Sequence, residues 1–120
     1  MKTETLQRER REFKRFKIKE NVFAADADRM GQIIDLSMGG LSFRYPELQK
    51  QPVESQELDI FVKDNSFSLQ NLPITIVSDH KVVDDINYPT PLLKRRGIKF
   101  QELTSEQKFQ LEYLIWTHHK

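Results

Sequence analysis

Up to residue 103 the chain sustains no helical period; its apolar residues instead alternate with polar ones in short runs cut by turn-forming clusters. That pattern limits it to pleated structure. "RFKIKENVFA" sets Phe16, Ile18 and Val22 against bases, "IIDL" (33–36) and "LSFRY" (41–45) flank a pair of glycines, and "ELDIFV" (57–62), "SFSL" (66–69), "PITIVSDHKVV" (73–83) and "KRRGIKF" (94–100) follow. Between them stand "ADADRMGQ", "KDN", "QNLP" and "DDINYPTP", all rich in residues that break strands. Several short strands without intervening helices predict an antiparallel barrel or sandwich. From Thr104 the period changes: Gln107 stands at capping-box spacing, and Leu111, Leu114 and Ile115 recur at helical offsets, predicting one helix over about 104–118. Its aromatics, Phe109 and Trp116 among them, are expected to pack against the mouth of the barrel.

A chain of 120 residues supplies one core, so a single domain is expected. No apolar run approaches the roughly 20 residues of a transmembrane helix. The N-terminus lacks the apolar stretch of a secretory signal and the sequence has no cysteine, from which a cytoplasmic location is expected. Charge is unevenly placed. Residues 1–20 hold eight bases and four acids, a balance of +4 that leaves −3 on the remaining hundred residues of a chain whose net charge is +1. We therefore divide the sequence into a flexible basic arm, residues 1–15, and a body, residues 16–120, with an anionic partner expected for the arm.

Several chemistries are set aside. "DADRMG" opens like a calcium loop, but Met30 stands where Asp or Asn is needed and Ser37 where Glu is needed. His80, His118 and His119 have no cysteine company, which argues against zinc. No nucleophile motif or paired carboxylate stands out, so neither an enzyme nor a cofactor is expected.

What remains is "RERREFKR" and "DLSMGG". A tight hairpin asks only for residues that accept positive φ, which Gly39 and Gly40 supply; Asp35 and Ser37 then need another reason. A guanidinium from Arg11 or Arg15 can fork onto phosphate, fork onto the acceptors of guanine, or stack on a base. Asp35 can accept from the exocyclic amine and ring N–H of guanine, Ser37 can donate or accept, and Gly40 can admit a ligand to the backbone. Together they suit a small anionic purine ligand. Asp35 and Ser37 as self-capping turn residues are the competing account.

The order R11-E-F-K-R15, then D35-L-S37-M-G-G40, resembles the PilZ domain family, whose pattern is RxxxR followed by (D/N)xSxxG; "GIKFQELTSEQ" is similar to its closing strand and helix start. The likeness covers about residues 8–116. It implies a six-stranded antiparallel β-barrel with a C-terminal α-helix, and a bacterial receptor, without catalysis, for the second messenger cyclic di-GMP. Carried onto this chain, Arg11 and Arg15 hold phosphate or stack on guanine, Asp35 and Ser37 read a guanine edge, and Gly40 allows close approach. Arg10, directly before the motif, is expected to stack on a second nucleotide. A receptor of this kind hands its signal to a downstream protein, with motility, polysaccharide export or secretion machinery as family analogies, and ordering of the arm is the expected switch. The alternatives are a nucleotide-independent PilZ-like adaptor and a small barrel for single-stranded nucleic acid, whose bases would stack on Phe43, Phe61 or Phe67.

Overall fold

The computed structural model describes residues 13–27, 29–47, 56–82 and 93–120. Seven strands are present among them: β1 (Phe16–Lys17), β2 (Val22–Ala25), β3 (Met30–Leu36), β4 (Gly40–Pro46), β5 (Glu57–Val62), β6 (Ser68–Lys81) and β7 (Leu93–Phe100), followed by the helix α1 (Ser105–His118). All pairings are antiparallel, in the order β1-β3-β2-β5-β6-β7-β4, and a further β3–β4 ladder closes β2 to β7 into a six-stranded barrel with β1 added outside β3. The expected fold class is therefore what the chain adopts.

Alternation places the core. In β5, Leu58, Ile60 and Val62 turn inward while Glu57, Asp59 and Phe61 do not, and β4 buries Leu41, Phe43 and Tyr45 in the same way. The run "RFKIKENVFA", expected as one strand, is two. β1 ends at Lys17, a turn at Glu20 and Asn21 follows, and Val22 opens β2. Conversely, "SFSL" and "PITIVSDHKVV" are one bent strand, β6, rather than two strands split at "QNLP". Asn71 absorbs the bend: it takes φ 59°, a left-handed conformation that Asn tolerates, and its N–H is held by Asp59 at 2.9 Å.

Helix α1 begins as its sequence predicts. The Thr104 hydroxyl accepts from the Gln107 N–H at 3.1 Å, and the Gln107 side chain accepts from the Thr104 N–H at 2.9 Å. Leu111, Leu114 and Ile115 are buried. The aromatics are not: Phe109 is 72% exposed, Tyr113 54% and Trp116 79%, so they face outward rather than packing on the barrel mouth. Phe67 does stack on Tyr113, at 6.1 Å between ring centroids. Among the described residues, no helix is long and apolar enough to cross a membrane.

One end of the barrel interior is polar. Arg96 points inward from β7 with 1% exposure, and its Nη1 donates to Asp26 at 2.6 Å while its Nη2 donates to Asp79 at 2.9 Å. Tyr45 donates to Asp79, its hydroxyl oxygen lying 2.6 and 2.7 Å from the two carboxylate oxygens. Asp26, from the rejected calcium pattern, also closes the β2–β3 turn by accepting from the Arg29 N–H at 3.2 Å. Burial and the hydrogen bond to Asp79 push the Tyr45 phenol up to about 12. For Asp79, burial acts to raise the pKa, but hydrogen bonds from Tyr45 and Arg96 outweigh it and hold the carboxyl below its ordinary value.

Removing Arg96 leaves the Asp26 side chain buried without its cation, so Arg96→Ala should cost about 3–5 kcal/mol and lower the melting temperature by roughly 10 °C or more, read by thermal unfolding. The lowered Asp79 pKa means the native state binds its proton less tightly than the unfolded chain does. Its contribution to stability should be complete above the ordinary carboxylate pKa of 3.8 and fade as pH falls below it. The raised Tyr45 pKa acts in the opposite direction: its share is complete below pH 10 and fades between there and about 12. Denaturant titrations across both ranges check the two signs.

Candidate functional site

Asp35 turns to the outer face of the barrel because β3 is irregular. Ile33 pairs with Phe43, yet Asp35 pairs with Ser42, so Ile34 is an extra residue in the strand. Strict alternation from buried Ile33 would turn Asp35 into the core and Leu36 out of it. With the bulge, Leu36 is fully buried, and Asp35 shares the outer face with Ser42 and Arg95. Arg95 is brought there by β7, whose alternation sends Arg96 inward and its neighbour outward.

These three side chains are joined. Nη2 of Arg95 donates to Asp35 Oδ2 at 3.0 Å and to Ser42 Oγ at 2.9 Å. The Asp35 side chain is only 8% exposed while that of Arg95 is 34% exposed, so the cation lies between the carboxylate and solvent. Oδ1 of Asp35 makes no hydrogen bond to a described residue. Beside the pair, Arg15, Ser42, His80, Arg95 and Gly97 line a pocket of about 270 Å³ on the outside of the barrel.

Ser37 is placed differently. Its Oγ accepts from the N–H groups of Gly39 and Gly40, each at 3.1 Å, and donates to the Gly40 carbonyl at 3.2 Å. The hydroxyl thus shapes the β3–β4 turn, which is the self-capping arrangement. Asp35 makes no such bond. The two leftover residues of the turn therefore have separate physical reasons.

The glycines also work otherwise than expected. No glycine among the described residues has positive φ. Gly40 is needed because a Cβ there would overlap the Ile98 carbonyl of β7, and the backbone it would strike cannot yield. At Gly39 a Cβ would come 2.5 Å from Cδ2 of Phe13. Phe13, the middle residue of R11-E-F-K-R15, is thus seated on the turn of D35-L-S37-M-G-G40, while Arg15 lines the pocket with Ser42 and Arg95. Arg10 and Arg11 lie outside the described residues.

Sequence reasoning missed Arg95, Ser42 and His80. "KRRGIKF" was readable as a strand with two adjacent arginines of which alternation must expose one, but nothing local says which one.

The family model for the PilZ domain matches residues 9–115. The chain belongs to the PilZ domain family. No curated protein matches it. Among solved structures, the crystal structure of YcgR in complex with c-di-GMP from Escherichia coli aligns with a TM-score of 0.64 at 15% identity, covering 90% of this chain and 45% of that one. This chain thus spans less than half of that protein. The PilZ domain with c-di-GMP of YcgR from Escherichia coli aligns with a TM-score of 0.62 at 19% identity, covering 90% of each chain. At such identities the likeness establishes the PilZ fold.

If Ser37 shapes the turn and Asp35 does not, the two should separate in stability measurements. Ser37→Ala strands two turn N–H groups and should cost about 1–2 kcal/mol. Asp35→Ala removes one ion pair whose cation can take up water and should cost less than about 1 kcal/mol. Equal losses in chemical denaturation would contradict the division.

Proposed function

We propose that this PilZ domain is a receptor, without a catalytic step, for cyclic di-GMP. The observation that carries the reading is the outer-face pocket lined by Arg15 and Arg95, the latter paired with the carboxylate of Asp35. Guanidinium groups meet phosphates in charge-assisted forks and can stack on purines. A carboxylate next to a doubly anionic ligand is favourable only where it accepts hydrogen bonds, and guanine offers a ring N–H and an exocyclic amine side by side. Pockets that enclose a drug-sized ligand run to about 300–1,000 Å³. One of about 270 Å³ suits part of a cyclic dinucleotide, with the remainder lying outside it.

Arg11 and Arg10 belong to the same reading, Arg11 on phosphate or guanine and Arg10 on a second, intercalated ligand. Ser37 and Gly40 serve it by setting the turn that follows Asp35. Binding orders residues 1–15 onto the turn where Phe13 already sits, and the surface so formed is what a downstream protein recognises. A nucleic-acid platform is disfavoured. Phe43 is fully buried, Phe67 stacks on Tyr113, and Phe61 stacks on Phe23 at 5.8 Å.

Calorimetric titration with cyclic di-GMP should show binding at micromolar affinity or better, about 8 kcal/mol or more. Arg15→Ala should weaken it at least tenfold, since one charge-assisted fork is worth about 1.5–3 kcal/mol. Absence of binding by the unaltered chain overturns the proposal. Hydrogen exchange over residues 5–17 tests the switch separately: saturating ligand should slow these amides, and equal exchange in both states rejects ordering of the arm.

A further inference from the structure

Arg95 lies in neither motif, yet it is the group that holds Asp35. We infer that Arg95 is a positioning residue for guanine recognition: by pairing with Oδ2 it neutralises and orients Asp35, so that the carboxylate can face a ligand carrying two phosphates. The inference rests on the cyclic di-GMP reading of the site.

Three observations support it. First, Asp35 is nearly buried at 8% side-chain exposure, where water cannot screen it well, so an uncompensated charge there would repel the phosphates strongly. Second, the guanidinium is itself fixed. Ser42 Oγ accepts from the same Nη2 that binds Asp35, and Ser42 stands opposite Asp35 in the β3–β4 ladder and opposite Gly97 in the β4–β7 ladder. Three adjacent strands thereby define where the cation sits. Third, the pairing does not exhaust the carboxylate. Oδ1 is without a described partner, and Oδ2 bears a second lone pair, so the two oxygens can accept from the two adjacent N–H groups of guanine while Arg95 stays in place. Adenine has no ring N–H at that edge and carries its exocyclic amine elsewhere, so an oriented Asp35 also discriminates between the two purines.

The test is a double-mutant cycle on the full chain, with affinity for cyclic di-GMP and cyclic di-AMP measured by calorimetry and apo stability followed by thermal unfolding. Arg95→Ala should weaken cyclic di-GMP at least tenfold in the natural background and reduce the preference over cyclic di-AMP at least fivefold. In the Asp35→Asn background, where there is no charge to neutralise, the same change should cost threefold or less. A residue that merely supported the fold would lower affinity for both dinucleotides alike and by the same factor in both backgrounds. That result overturns the inference, as does retention of affinity in Arg95→Ala while Arg15→Ala loses it. Failure of the unaltered chain to bind cyclic di-GMP overturns the site reading and the role of Arg95 together.

Discussion

The two-residue period of β7 is the constraint on which both the barrel and its site depend. β7 pairs with β4 on one side and β6 on the other, so its side chains are locked to one face or the other by two ladders at once. Arg96 is consequently driven into the interior, where its charge is tolerable only because Asp26, Asp79 and Tyr45 converge on it. Arg95 is driven outward, where it meets Asp35 and Ser42. A slip of one residue would exchange the two arginines. It would empty the site and leave Asp26 buried without its cation.

How much of this could be read from the sequence differs between elements and irregularities. The strands of "ELDIFV" and "LSFRY", and the capped helix from Thr104, were legible because local alternation and capping chemistry suffice to specify them. What was not legible depends on partners far along the chain. Asn71 reads as a turn residue, and it does bend the chain, but Asp59 from β5 holds it within one continuous strand. The helix aromatics read as core because a periodic stripe usually is. Here Leu111, Leu114 and Ile115 already fill the contact with the barrel, and Phe109 and Trp116 fall on the other side.

In the site, "DLSMGG" announced that its residues were special without distinguishing their tasks. The distinction comes from the bulge at Ile34. A bulge has no dependable local signature, since it follows from the need to bury both Ile33 and Leu36 in a strand whose intervening residues must then share the outside. Ser37 falls past the end of β3 and has its own turn within reach. Asp35 is still in register and has only cross-strand partners. Gly40 shows the same dependence on distant chain, because it is dictated by the Ile98 carbonyl of β7.

The interior of this barrel is filled by apolar side chains and, at one end, by the Arg96 network, so a ligand must be met on the outer wall. An outer-wall site has less enclosure to offer and depends on segments laid across it. β1 is such a segment. One edge of it pairs with Asp35 and Leu36, and the chain around it also meets the end of the helix, through a bridge from Ile18 to His119 and the bonds from Lys19 N–H to the His118 carbonyl and from Lys120 N–H to the Lys17 carbonyl. Arg15 stands two residues before Lys17, the partner of Asp35. A ligand that engages Arg15 and Asp35 together therefore acts on a strand tied at once to the site and to the C-terminal end of α1, where Trp116 is exposed. Few residues separate the pocket from that surface. A change at the pocket therefore has only a short path to that end of α1.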